Sequence, residues 1–531
     1  VTTATWQLVR LTLRRDRIKL PGWLLGLTVF VFYFNTALPT IAPTEADLAA
    51  FSQFSAGPVG AVLGGPGYGF DTGLNYEAFF VGTYGLYFLL AAALMNILLV
   101  SRHTRVEEQS GRAELVRAGV VGRSAPLTAT LIVALAADLV LAMLLSVATA
   151  TFGYAPGDAA LFGAGVGAAG LVFAAVGAVT AQITEYSRAA SGLAGIVLGI
   201  AYLTRAAGDS LTEHGSLLSW FSPLAWSQQT RPFVDGRWWP LLLSIGLAAV
   251  TTAAAFALAG RRDLGAGLRA ARRGPAGAAA WLRSPSTLAL RLQRAGRLGW
   301  TAALAVLGLT YGALVGPMSD TFADLSGQFA EILGATDDVL DGYLSFMALY
   351  DAIIVSAFVI LALHKVRGEE TSGRAEPVLA TTTARVRWLG THLLVVCAGA
   401  AAMLLVTGLA FGIGAAASKG DVGQVAAMTA AHAVRIPELL VFAAVGVLLY
   451  GIAPRALPLV WLVFAYAVLL ALFGTLLNLP QWAHDLSPLD HIGRVPVEDA
   501  GIVSVLTLCT VAAVTTAAGF AAFRRRDLSV T

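Results

Sequence analysis

Residues 107–114 read EEQSGRAE and residues 369–376 read EETSGRAE, differing only at Gln109 against Thr371. Each octet directly follows a long apolar run. A charged turn written twice in one chain is the mark of an internal repeat, and two further landmarks keep nearly the same spacing. Glu369 lies 262 residues after Glu107, Ser487-Pro488-Leu489 lies 265 after Ser222-Pro223-Leu224, and Arg525-Arg526-Asp527-Leu528 lies 264 after Arg261-Arg262-Asp263-Leu264. The chain therefore reads as two fused copies of one unit.

The composition places that unit in a bilayer. Of 531 residues, 57% are hydrophobic and 13% charged, where a soluble chain carries roughly 25% charged residues. Mean hydropathy is +0.73. About 20 apolar residues are needed to cross the hydrocarbon core. By that rule the first copy has runs near 22–42, 78–100, 126–152, 159–184, 189–206 and 238–260. The second has runs near 299–317, 344–363, 388–416, 424–452, 456–477 and 500–523. The expected fold is an all-α polytopic membrane protein of about twelve spans. Six spans per copy make the two repeats parallel. The predicted domains are a first half over 1–260, a basic linker over 261–283 and a second half over 284–531. Gly, Ala, Ser and Thr throughout the runs suit close helix contact in lipid.

Charge sets the expected orientation. Arg10, Arg14, Arg15, Arg17 and Lys19, the arginines of 261–298, and Arg524-Arg525-Arg526 mark the cytoplasmic side. The loop 319–343 carries Asp320, Asp324, Glu331, Asp337, Asp338 and Asp341 with no basic residue, and the loop 43–75 lacks Lys and Arg. Both loops belong outside. Both termini and both octets then face the cytoplasm. VTTATWQLVRLTLRRDR has no small-residue cleavage site after a short apolar core and reads as mature sequence. Arg10, Arg14 and Arg17 form one helical stripe with Leu8, Leu11 and Ile18 roughly opposite, which suits a helix in the headgroup plane. Residues 288–294 have the same character, so an interfacial helix is expected before each copy.

Several function classes fall away. The net charge of +3 and the lack of basic tracts alternating with aromatics argue against nucleic acid. Cys397 and Cys509 lie far apart in apolar runs and imply no disulfide framework. The lysines, Lys19, Lys365 and Lys419, are never followed by Ser or Thr, so there is no phosphate-binding Gly-Lys-Ser/Thr loop. No catalytic triad or metal-ligand spacing is present, and no catalytic residue, metal or cofactor is expected in this chain.

The basic segment before each copy, the charged turn after the second span and the Ser-Pro-Leu before the last span together resemble the membrane subunit of an ABC-2 type exporter. The whole chain is similar to the fused double-length permeases of actinobacteria that export tetronasin-type and polyketide antibiotics. That resemblance implies a bacterial plasma-membrane permease for lipophilic, drug-like compounds. It implies two separate ABC ATPase subunits carrying ATP and Mg, and alternating access driven by their closure. It carries ATPase docking onto Glu107, Glu108, Ser110, Gly111, Arg112, Ala113 and Glu114, and onto Glu369, Glu370, Ser372, Gly373, Arg374, Ala375 and Glu376. Pro377 stands where the first copy has Leu115, so the two turns need not be equivalent.

Physical chemistry suits such a turn. Gly111 and Gly373 permit a tight reversal, 113–118 can form a short helix stopped at Gly119, and Glu114 in its first turn suits the helix dipole. Glu185, Arg188 and Arg455, in the turns between the fourth and fifth spans, are candidates for a second ATPase contact. Asp138, Gln182, Asp351, His392, His432, Arg435 and Glu438 lie in or near spans and are candidates by default; no substrate site can be assigned from them. An ABC-2 transporter of lipid or glycan remains open. A proton-coupled carrier of twelve spans also remains, although its usual Asp-Arg pair in this loop is missing.

Overall fold

A computed structural model describes residues 4–70, 75–212, 214–269, 274–316, 339–477, 480–496 and 498–527. The predicted outer acidic residues Asp320, Asp324, Glu331, Asp337 and Asp338 lie outside them, as do Arg272, Arg273 and Leu528. Two compact units appear, Val1–Gly274 and Pro275–Thr531.

Helices of the first unit are α1 (Thr5–Arg15), α2 (Lys19–Ile41), α3 (Tyr76–Ser101), α4 (Arg112–Arg117), α5 (Ala125–Ala150), α6 (Pro156–Ile183), α7 (Ser187–Leu211) and α8 (Pro240–Ala259). The second unit has α9 (Pro285–Ala313), α10 (Val339–Thr371), α11 (Glu376–Leu379), α12 (Arg385–Lys419), α13 (Gly423–Val434), α14 (Ile436–Ile452), α15 (Val460–Leu477) and α16 (Ile502–Arg525). Among the described residues, eleven helices are long and apolar enough to cross a membrane. The predicted run 299–317 lies largely on α9, which is not among the eleven; the first half of α9 carries Arg291, Arg294 and Arg297.

The same spans form the core of each unit. Buried residues make up 61% of the apolar window of the second span in both units, and 72% and 61% for the fourth. The first span of unit one and the last span of both units stay largely exposed, with side chains such as Val250 and Val514 turned outward. A bilayer is the medium in which such helices satisfy their backbone and cover their side chains.

Small residues set the closest approaches. A Cβ on Gly312 of α9 would fall 2.0 Å from the Phe411 carbonyl oxygen of α12, and one on Gly308 would fall 2.7 Å from that of Thr407. These two glycines, four apart on one face, let the helices meet backbone to backbone.

Among the described residues the units differ in two comparable places. First, α1 ends at Asp16 and the chain restarts at Lys19, so a separate helix stands where the interfacial one is expected. Its protein-facing side is Val9 and Thr12, packed near Leu127, Ala129 and Val133 of α5, while Leu11 and Ile18 remain exposed. The counterpart segment 288–294 is not a separate helix. It forms the first turns of α9, which starts at a Ser284–Thr287 capping box and runs on without a break. Second, α6 is continuous, whereas its counterpart breaks at Arg435 between α13 and α14. Pro437 lacks the N–H that would continue the helix. In unit one the predicted outer loop 43–75 contains two short helices, Glu45–Ala56 and Pro58–Leu63. Buried Arg205 of α7 donates to the carbonyls of Ala61 and Val62 and pairs with Asp209.

A duplicated carboxylate turn as candidate functional site

In unit one, α3 runs through a π-helical segment, Arg102–Val106, into Glu107–Gln109. The chain reverses at Gly111, whose φ of +72° favours glycine, and α4 follows. In unit two, α10 ends at Thr371, the reversal is at Gly373 with φ +73°, and α11 follows with Pro377 in its first turn. The predicted short helix thus forms in both halves, over six residues in one and four in the other.

The two glutamates of each octet have different surroundings. The first faces its own turn. Glu369 takes two hydrogen bonds from Arg374, 2.9 and 3.1 Å long, and raises that guanidinium's pKa. Glu107 sits 3.6 Å from Arg112 and also pairs with Arg15 of α1. The second glutamate turns into the unit. Glu108 is gripped by both terminal nitrogens of Arg262, at 2.6 and 2.9 Å, and accepts from Arg105 at 2.9 Å. Glu370, 2% exposed, is gripped the same way by Arg526, both bonds 2.7 Å, and accepts from the Tyr450 hydroxyl. Arg526 also lies over the rings of Tyr450 and Phe523. Burial lowers its pKa, but the Glu370 carboxylate outweighs that and holds it above the usual arginine value.

Arg262 and Arg526 are equivalent residues of the two Arg-Arg-Asp-Leu landmarks, just past the end of the last span in each half. Around Glu108 the chain past α8 is also bound to the end of α6: Arg262 donates to Gln182 at 2.6 Å, and the backbone N–H groups of Leu268 and Arg269 reach the carbonyls of Gln182 and Ile183. A Cβ on Gly267 would lie 2.9 Å from the backbone there. The first part of the predicted linker is therefore packed onto unit one.

Most of the remaining octet residues lie at the surface. Ser110, Arg112 and Glu114 are exposed, with Gly111 and Ala113 half-buried; Ser372, Arg374 and Glu376 are exposed, with Gly373 half-buried and Ala375 buried. Leu115 and Val120 project beside the first turn at 77% and 87% exposure. A cavity of about 340 Å³ opens beneath that turn, with Glu107, Glu108, Ala113, Arg117 and Arg123 among its walls and Leu127 and Phe256 among its apolar lining.

The octet difference has a structural consequence. Gln109 accepts from the Ser187 N–H at the start of α7, 3.3 Å away, joining the octet to the turn that carries Glu185 and Arg188. Thr371 donates instead to Arg367 of its own helix. Arg188 and Arg455 are exposed.

Three polar pairs form inside the spans. Asn96 donates to Asp138 at 2.7 Å, His432 meets Asp351 at 3.1 Å, and Arg435 donates to Glu438 at 2.9 Å across the break before Pro437. His392 packs against Trp388. Just past the C-terminal end of α3, Asp16 accepts from Arg102 and meets His103, at 2.7 and 2.8 Å, anchoring α1. Burial raises the pKa of Asp16, but His103 and Arg102 together outweigh it and hold the carboxyl below the usual aspartate value. Sequence reasoning missed Arg262, Arg526, Tyr450 and Asp16. The signal for the first two was present: an arginine kept at one repeat spacing beside a glutamate kept at another.

Comparison with known proteins agrees with this duplication. The sequence model of a family described as "Multidrug efflux system permease Rv1217c, C-terminal domain" matches residues 7–258 and again residues 282–524. The chain is also 37% identical over 531 residues to the multidrug efflux system permease protein Rv1217c of Mycobacterium tuberculosis (strain ATCC 25618 / H37Rv), a match covering 99% of this chain and 95% of that protein. With the family's domain matched once in each half, the chain belongs to the Rv1217c family of multidrug efflux permeases.

Proposed function

We propose that this chain is the membrane subunit of an ATP-driven exporter of lipophilic, drug-like compounds, and that its two octet turns are where two separate ABC ATPase subunits dock. The observation that carries this reading is the duplicated turn itself. In both halves an exposed arginine and an exposed glutamate (Arg112 and Glu114; Arg374 and Glu376) follow a glycine reversal held by the inward-turned carboxylate of Glu108 or Glu370. A motor needs a stiff lever with charged groups pointing outward, and charge-assisted bonds supply direction as well as strength. Leu115 and Val120 add apolar side chains beyond the end of a span, where a partner surface would cover them. In the first half Arg188 adjoins this surface through Gln109 and Ser187; Glu185 and Arg455 lie in the matching turns.

Both termini and both turns lie in the cytoplasm on this reading, as the arginine distribution requires. ATP and Mg bind the partner subunits, whose closure drives the turns and, through them, alternating access in the bacterial plasma membrane. The lipophilic substrate class follows from the relative's multidrug efflux and from the intramembrane charges, which pair with one another and offer little to grip a polar solute.

The test is efflux of a lipophilic fluorescent dye from cells expressing the chain with its ABC ATPase. Efflux should survive a protonophore while ATP is maintained and stop when ATP is depleted. The opposite pattern would identify a proton-coupled carrier.

A further inference from the structure

We propose that the second glutamate of each octet, Glu108 and Glu370, is a coupling latch that makes the last span of its half move with the docking turn. The proposal rests on the docking reading above and assigns these two residues a role inside the chain.

The geometry is the same twice. In each half a carboxylate at the foot of the second span is held bidentately by an arginine just beyond the last span. In each half the end of the fourth span joins in, through Gln182 on Arg262 in one and Tyr450 on Glu370 in the other. Three helix ends therefore meet at one carboxylate–guanidinium fork. The two units have otherwise diverged at this end: Arg105 supplies the third donor in one and a tyrosine in the other, and Gln109 has become Thr371. What both retain is the fork between turn and last span. The last span packs closely against the fourth span in both units, backbone to backbone at Gly451 and Gly519 in unit two, but makes little direct contact with the second span, so the fork is its direct tie to the octet. A planar guanidinium on a carboxylate resists rotation and sliding together, which a lysine's point charge does not. A displacement imposed on the octet by a bound ATPase is thus carried by the fork directly into the last span.

The test uses the full chain co-purified with its ABC ATPase in lipid nanodiscs or vesicles, with substrate transport and ATP hydrolysis measured together. E108Q/E370Q should retain two ATPase subunits and hydrolyse ATP, while substrate moved per ATP falls at least about tenfold. Reversal of the pairs, E108R/R262E with E370R/R526E, should restore at least half of that ratio. A merely structural role would lower yield or thermal stability and leave the ratio unchanged. Should E108Q/E370Q fail to fold, R262K/R526K carries the test, because charge stays and the fork is lost; an unchanged ratio there overturns the latch. Loss of the ATPase from E108Q/E370Q, with folding intact, would make these residues docking contacts and also overturn it, leaving the docking reading standing. If the wild-type chain captures no ATPase, the docking reading fails and the latch fails with it.

Discussion

The pair Glu370–Arg526 is expected to be worth far more than the pair one residue away, Glu369–Arg374, although both are bidentate. The structure supplies the reason. The Glu370 and Arg526 side chains are 2% and 11% exposed and their two bonds are both 2.7 Å, whereas Arg374 is 60% exposed and its bonds are 2.9 and 3.1 Å. Breaking a buried pair by removing one partner costs about 3–5 kcal/mol, because the other charge is left without compensation. An exposed pair is worth about 0–1 kcal/mol, since water and salt screen it. A double-mutant cycle separates the pair from each residue's other contacts, which matters here because Glu370 also serves Tyr450. E370A, R526A and the double variant should give a coupling of roughly 3 kcal/mol, and E369A, R374A and their double variant less than about 1 kcal/mol. Unfolding in mixed detergent micelles, followed by the emission of the chain's 11 tryptophans, provides the free energies. Equal couplings in the two cycles, or a larger one for the exposed pair, would refute the assignment of one ion pair to the interior and one to the surface.

Three further expectations follow from single positions. G111A and G373A place a Cβ at φ near +72°, which should cost about 1–2 kcal/mol each and weaken ATPase capture by loosening the turn. G312A should destabilise unit two by about 1–3 kcal/mol, since its Cβ meets the Phe411 backbone; G26A, with nothing within 4 Å, should be neutral in the same unfolding assay. Because the folded-state pKa of Asp16 is depressed, its contribution is present above the unfolded value of about 4 and lost as pH falls through the lower folded value. The stability gap between wild type and D16N should therefore be full at pH 6 and shrink toward pH 3.

Much of the architecture was legible because it is written in long-range patterns. Apolar runs of sufficient length mark the spans, and three landmarks at one spacing mark the duplication. The places that escaped depend on one or two residues acting through tertiary contact. Nothing local distinguishes residues 288–294 from 5–15 except a helix stop: Asp16 ends α1, while no such break separates Arg294 from Trp300. The break at Arg435 needed Pro437 to be read against a helix that is unbroken in the other half. In the octet, sequence spacing placed all eight residues on one charged turn but could not say that Glu107 and Glu108 point to different surroundings. Adjacent residues on a helix are about 100° apart, and which of the two turns inward is decided by Arg262, 154 residues later.

The central claim is that the two turns hold two ATPase subunits by their exposed faces. Its most direct test is co-expression of the chain with its ABC ATPase, capture in detergent, and native mass measurement of the complex. The comparison is with a variant in which only the exposed charges are reversed, R112E/E114R/R374E/E376R. The account predicts two ATPase subunits on each wild-type chain and none on a variant that remains monodisperse. Equal retention of the ATPase by both chains, or none by either, would contradict it.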